Sequence, residues 1–204
     1  MDPAEGPYVA CNHMFSYIYA DHSISCASQG ERISRHNHLR DALYHAAVSF
    51  SLGPTRKDRA LLPGVESRPA DVYIPLWAPG TRDAALDISV VSPFQQATLH
   101  RAAREPGYAL LMRKQQKAKY AEACRAEGIE FFALPVETTG AWEDGAAAII
   151  TKLGRALARA SCQEEGEVVR HLFSKLSILL MKTNASMILN RVPEHPDPST
   201  NGVL

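Results

Sequence analysis

Apolar residues recur at intervals of three and four between Glu31 and Leu52, at Ile33, Leu39, Leu43, Ala46, Ala47 and Phe50, the spacing of one helix face. Gly53-Pro54 supplies a stop. After a polar stretch containing Pro54, Pro63, Gly64 and Pro69 come two runs of strand-like composition, Asp71-Val-Tyr-Ile-Pro-Leu-Trp77 and Ala84-Ala-Leu-Asp-Ile-Ser-Val-Val91. Pro79-Gly80 between them predicts a hairpin. Ala109 to Glu127 reads as a second helix closed by Gly128 at a C′ position, and Ile129 to Val136 as another strand. Thr138-Thr-Gly140 breaks the chain before two more helical stretches, Trp142 to Ser161 and Glu164 to Arg191, which separate near Gln163 and Gly166.

The order is therefore helix, two or three strands, helix, strand, and two covering helices. That order predicts an α/β sandwich with a small mixed sheet flanked by helices, and it does not fit a doubly wound repeat. Residues 1–31 carry no sustained period and read as a loop-rich segment, residues 32–192 as the domain, and residues 193–204 as a disordered tail.

Composition sets few limits beyond these. The chain has 204 residues, 46% of them hydrophobic, enough for a sizeable core. Lysine plus arginine number 22 and aspartate plus glutamate 22, which excludes a polyelectrolyte. Apolar runs such as Leu176 to Met181 fall well short of the roughly 20 residues that cross a bilayer, and the amino terminus has no signal pattern. A soluble, non-secreted protein with no membrane partner is the expectation. Cys11, Cys26, Cys124 and Cys162 then argue for free thiols or a partial metal site, not a disulfide framework. Charge is locally uneven: Arg101, Arg104, Arg113, Lys114, Lys117 and Lys119 stand against Glu105 alone. Such a stretch is either a solvated helix face or a surface for phosphates.

The candidate chemistry starts with two acids. With a three-residue loop at Ala78-Pro79-Gly80, Trp77 pairs with Thr81 and Asp71 falls opposite Asp87. Directly opposite residues share a sheet face with Cβ atoms roughly 4.5–5.5 Å apart. Carboxylates that close repel unless a cation lies between them or one is protonated. Magnesium, a hard ion that takes oxygen ligands, is the natural partner. The plainer alternative puts Asp71 at a strand entrance and Asp87 on a solvated face. Against it, Asp87 lies within the apolar run Ala84 to Val91. The helix Lys114-Gln-Gln-Lys117-Ala-Lys119-Tyr120 follows the second acidic strand, and a lysine beside a scissile phosphate stabilises developing negative charge.

In this order, Arg68-Pro-Ala-Asp71, Leu86-Asp87-Ile-Ser-Val-Val91, Lys117-Ala-Lys119-Tyr120 and Phe132-Ala-Leu-Pro-Val-Glu137-Thr-Thr-Gly140 resemble the restriction-enzyme-like endonuclease domain of site-specific non-LTR retrotransposons, within the PD-(D/E)XK nuclease superfamily. Upstream, Cys11, His22 and Cys26 followed by Arg35-His36-Asn37 resemble that family's cysteine-histidine knuckle and helix start. The similarity covers roughly residues 11 to 191. It implies a restriction-endonuclease-like α/β sandwich, Asp71 and Asp87 as ligands of magnesium or manganese, and Lys117 as the active-site lysine.

The chain departs from the family pattern in three places. The superfamily's common form has its lysine two residues after the second acid, where Ser89 stands here, so the lysine comes from the following helix with Lys114 and Lys119 as competitors. Pro-Ala-Asp replaces Pro-Asp. A C-x2-C-x7-H-x3-C knuckle has Met14 in place of its second cysteine, and a thioether is a poor zinc ligand beside thiolate and imidazole. Zinc at Cys11, His22 and Cys26, with His13 as an awkward substitute, and a degraded knuckle both remain open. His36 and His38 read as surface or packing residues, and Glu137 as either a neighbour of the site or a strand-end acid.

The leading expectation is a retrotransposon-derived, metal-dependent DNA endonuclease domain. Its implied partner is DNA, contacted through Arg101, Arg104, Arg113, Lys114 and Lys119, and its implied location is the nucleus. Nothing in the chain resembles a polymerase, so it reads as a fragment, a decayed copy or a domesticated remnant. The alternatives are an inactive DNA-binding or structural relic and an unrelated interaction module.

Overall fold

The computed structural model describes residues 24, 29–50, 55–59, 70–77 and 82–190. The proposed knuckle at Cys11, His22 and Cys26, the hairpin turn at residues 78–81 and the tail 193–204 lie outside the described residues.

Helix α1 spans Gln29–Val48. Leu39, Ala42, Leu43, Ala46 and Ala47 form its buried stripe, spaced as the sequence pattern requires. Strands β1 (Arg56–Arg59), β2 (Ala70–Ile74) and β3 (Asp83–Val91) follow, and β4 (Ile129–Glu137) completes a four-stranded sheet in the order β1-β2-β3-β4. β1 and β3 pair antiparallel with β2, whereas β4 lies parallel to β3. The fold is thus a mixed α/β sandwich. A parallel pair needs a crossover connection, and here helices α2 (Gln96–Ala102) and α3 (Tyr108–Ala126) supply it. Gly107 and Gly128 bracket α3 with φ of 80° and 74°, left-handed conformations that suit glycine.

Two elements depart from the sequence reading. β1 falls in the stretch taken as polar connection, because Arg-Lys-Asp-Arg has no apolar alternation. A charged edge strand needs none, and charge there discourages pairing with another chain. α2 was not expected either: it is short, and its Leu99 is exposed, so no buried stripe marks it.

Helix α4 (Asp144–Ser161) packs on β4, and α5 (Glu165–Leu189) packs on α4 and α1. Glu143 caps α4 by accepting from the Ala146 amide at 3.0 Å, so the helix starts two residues after Trp142, which instead bridges to Val136. Glu164 caps α5 by accepting from the Gly166 amide at 2.9 Å.

The two sheet faces differ. Val72, Ile74, Ala84, Leu86, Ile88, Leu134 and Val136 pack with α1, α4 and α5 in the main core. Ala70, Tyr73, Ala85 and Ile129 lie in the second, smaller cluster with Cys124 of α3. By length and composition α5 is long and apolar enough to cross a membrane, but its stripe Val168, Leu172, Leu176, Leu180 and Met187 is buried here. Alternation along β2 and β3 fixes which residues share the α3 side: Asp71 and Tyr73 on β2, and Ala85, Asp87 and Ser89 on β3.

Candidate active site

β2 and β3 pair Val72 with Leu86 and Tyr73 with Ala85. Continuing that register by one residue sets Asp71 opposite Asp87, the juxtaposition the hairpin reading required. Both line a cavity of about 320 Å³ together with Arg32, Arg35, Ser89, Arg113 and Lys117. α1 supplies one wall and α3 the other.

The acids differ in surroundings. Asp71 Oδ2 accepts from the Ile88 amide at 2.6 Å, and its Oδ1 lies 3.1 Å from His36 Nε2. Asp87 is only 5% exposed. Lys117 Nζ lies 2.8 Å from Asp87 Oδ2 and 3.1 Å from Oδ1, and only the Oδ1 contact has hydrogen-bond geometry. Burial pushes the Asp87 carboxyl up to about 6; Lys117 opposes that rise and Asp71 adds to it. His36 is raised above its ordinary value, chiefly by its hydrogen bond to Asp71, against the opposing effect of burial.

Lys117 reaches Asp87 because α3 runs beside the face of the sheet that carries the acid. Ser89, two residues after Asp87, is on that same face, but its hydroxyl is neutral and supplies no charge. Its Oγ is buried without a hydrogen-bond partner among the described residues.

The rival lysines are engaged elsewhere. Lys114 Nζ lies 2.7 Å from Glu143, the residue that caps α4. Lys119 Nζ stacks 5.0 Å from the Tyr120 ring centroid. Of the residues expected to meet nucleic acid, Arg113 lines the cavity. Arg101 is in α2, where its Nη1 donates to the Tyr108 hydroxyl at 3.3 Å, and Arg104 is exposed in the turn beyond. The basic stretch is therefore divided between two helices and does not form one helix face.

Glu137 does not line the cavity. It pairs with Val91, four residues along β3 from Asp87, and accepts from Thr139 Oγ1 at 2.9 Å. His38 is also remote: its Nδ1 donates to the Ser34 carbonyl at 2.7 Å on the helix surface. His36, in contrast, is half-buried and lines the cavity beside Asp71. Arg32 was missed, and Arg35 was noticed only as part of a helix start. Their spacing of three and four along α1 with His36 was visible, but the direction of that face was not.

Among the described residues no group of three or more His, Cys, Asp or Glu side chains converges as a metal cluster. The fit to magnesium is that of a two-carboxylate site. Magnesium is commonly held by one or two carboxylates, with water and substrate phosphate completing its shell. Asp71 and Asp87 would hold it; Asp87 Oδ2, ion-paired with Lys117 but accepting no hydrogen bond among the described residues, and Ser89 Oγ are polar atoms with unused capacity.

No protein-family model matches this chain, and no curated protein matches it.

Proposed function

We propose that the chain is a magnesium- or manganese-dependent DNA endonuclease domain of restriction-endonuclease-like fold, derived from a non-LTR retrotransposon, that hydrolyses phosphodiester bonds. The observation that carries this reading is the placement of Asp71 and Asp87 on one sheet face, in register, with Lys117 2.8 Å from Asp87. The ordered resemblance of the surrounding segments agrees with it.

A bound divalent cation would supply Lewis acidity and a lowered water pKa. The chain's own residues perform the remaining tasks. Ionised Asp87 and Asp71 would hold the cation, and the Ile88 amide and His36 fix the Asp71 carboxylate in orientation. Lys117 neutralises Asp87 before substrate arrives and then faces the phosphoryl oxygens, where negative charge grows as water attacks phosphorus. The water oxygen bonds to phosphorus as the P–O bond to the leaving oxygen breaks; the water gives one proton to solvent and the leaving oxygen takes one from solvent, so diester and water become a phosphomonoester and a hydroxyl. The basic residues outside the cavity would hold backbone phosphates with salt-dependent, sequence-tolerant affinity. Nuclear location belongs to this reading.

A second reading, an inactive DNA-binding remnant, is favoured by the lack of a third convergent ligand side chain among the described residues. Plasmid nicking separates the two. The purified chain should nick supercoiled DNA with magnesium or manganese, lose that activity in EDTA, and lose it in Asp71→Ala and Asp87→Ala. A folded protein that binds DNA and never nicks would establish the remnant.

A further inference from the structure

The cavity carries more positive charge than its acids use. Arg32, Arg35, Arg113 and Lys117 face it against Asp71 and Asp87. Asp87 has Lys117, and Asp71 has His36 and the Ile88 amide. Three guanidinium groups are left, and among the described residues none of them makes an ion pair.

Arg35 is the telling one, being 4% exposed. Its Nη1 donates to Asn184 Oδ1 at 2.9 Å and to the Ile24 carbonyl at 3.4 Å, both neutral, and its Nε is buried without a partner. Arg113 Nε is likewise buried and unpartnered. A buried guanidinium whose hydrogen bonds all go to neutral acceptors is costly unless an anion joins it. Burial, followed by the charge of Arg32 and opposed by that of Glu31, draws Arg35 down to about 10, which still leaves it charged at neutral pH.

These groups converge from both walls. Arg32 and Arg35 are one turn apart on α1, and Arg113 is one turn before Lys117 on α3. We infer that Arg32, Arg35 and Arg113 form a subsite for a phosphate group of a nucleic-acid strand, beside the acid pair and separate from it. The choice of a strand phosphate rests on the nuclease reading. The chemistry of the subsite itself does not: guanidinium forks match phosphate oxygens with paired, charge-assisted hydrogen bonds. The subsite would seat a phosphate neighbouring the one that is cut, and so set the strand's register over Asp87 and Lys117.

The test is a calorimetric titration of the full chain with inorganic phosphate in EDTA, so that no divalent ion bridges the anion to the acids. Wild type should bind saturably, Arg32→Gln and Arg113→Gln at least tenfold more weakly, and Asp87→Asn as well or better because a repelling charge is gone. Arg35 also anchors Asn184, so the two other arginines carry the test. No saturable binding by the folded wild type, or equal affinity in both arginine variants, would overturn the subsite. A hydroxyl-terminated duplex should displace the phosphate; displacement by a 5′-phosphorylated duplex alone would make this a pocket for chain ends and overturn the strand assignment. Phosphate binding that depends on the arginines in a chain that never nicks would remove the nuclease and keep the subsite. Nicking with phosphate affinity indifferent to the arginines would do the reverse.

Discussion

Asp87 and His36 tie the site to pH in the same direction. The folded pKa of Asp87 is raised to about 6 from an ordinary value of about 3.9. Its stabilising contribution is therefore complete below the unfolded value and is lost as pH rises through the folded one. Asp87→Asn should accordingly raise the melting temperature over wild type by several degrees more at pH 7.5 than at pH 4.5, read by circular dichroism. An equal offset at both pH values would mean that Asp87 is not buried as described. His36 is also raised, by its bond to Asp71, so its contribution is complete below its unfolded value near 6.5 and fades as pH climbs through its folded one. His36→Gln should thus cost stability at pH 5.5 and much less at pH 9. Because a proton competes with the cation for Asp87, nicking at subsaturating magnesium should rise with pH through about 6 and flatten above it. A profile that is flat from pH 5 to 8 would exclude Asp87 as the limiting group.

The helices divide their residues between core and site, which sets where substitutions hurt. Leu176 of α5 is fully buried, and Leu189 of the same helix is 69% exposed. Leu176→Ala should cost about 2–5 kcal/mol in urea unfolding, whereas Leu189→Ala should stay within about 0.5 kcal/mol. Matching costs would contradict the packing of α5. At this scale the apolar periods of α1, α3, α4 and α5 were legible, because each buries a stripe or is closed by glycine. β1 and α2 were not legible, since a charged edge strand and a short exposed helix bury nothing that leaves a pattern. The acid pair was legible because a strand alternates with period two, so the hairpin register alone sets Asp71 against Asp87. Separating Lys117 from Lys114 and Lys119 depended on the resemblance. The structural basis is rotation about α3: Lys117 lies one turn from Arg113 on the face turned to β3, whereas Lys114 meets the start of α4. Arg32, Arg35 and His36 could not be placed from sequence, since only the packing of α1 against β2 and β3 brings its first turns to the acids.

The described residues combine a hydrophobic layer of α1, α4, α5 and one sheet face with a polar cleft where the first turns of α1 and the middle of α3 meet β2 and β3. That division lets the cleft carry repelling acids and unpaired arginines while the opposite face supplies the burial that holds the sheet. Cation binding in the cleft should therefore stabilise the whole fold by linkage, about 2.7 kcal/mol when the free ion stands at 100 times its Kd. The central claim is that Asp71 and Asp87 together form a cation site, and a manganese titration followed by electron paramagnetic resonance tests it without any knowledge of the DNA target. Wild type should take up manganese saturably, and Asp71→Asn and Asp87→Asn should each weaken uptake at least tenfold while remaining folded. Unchanged manganese affinity in both variants would exclude a cation site at Asp71 and Asp87.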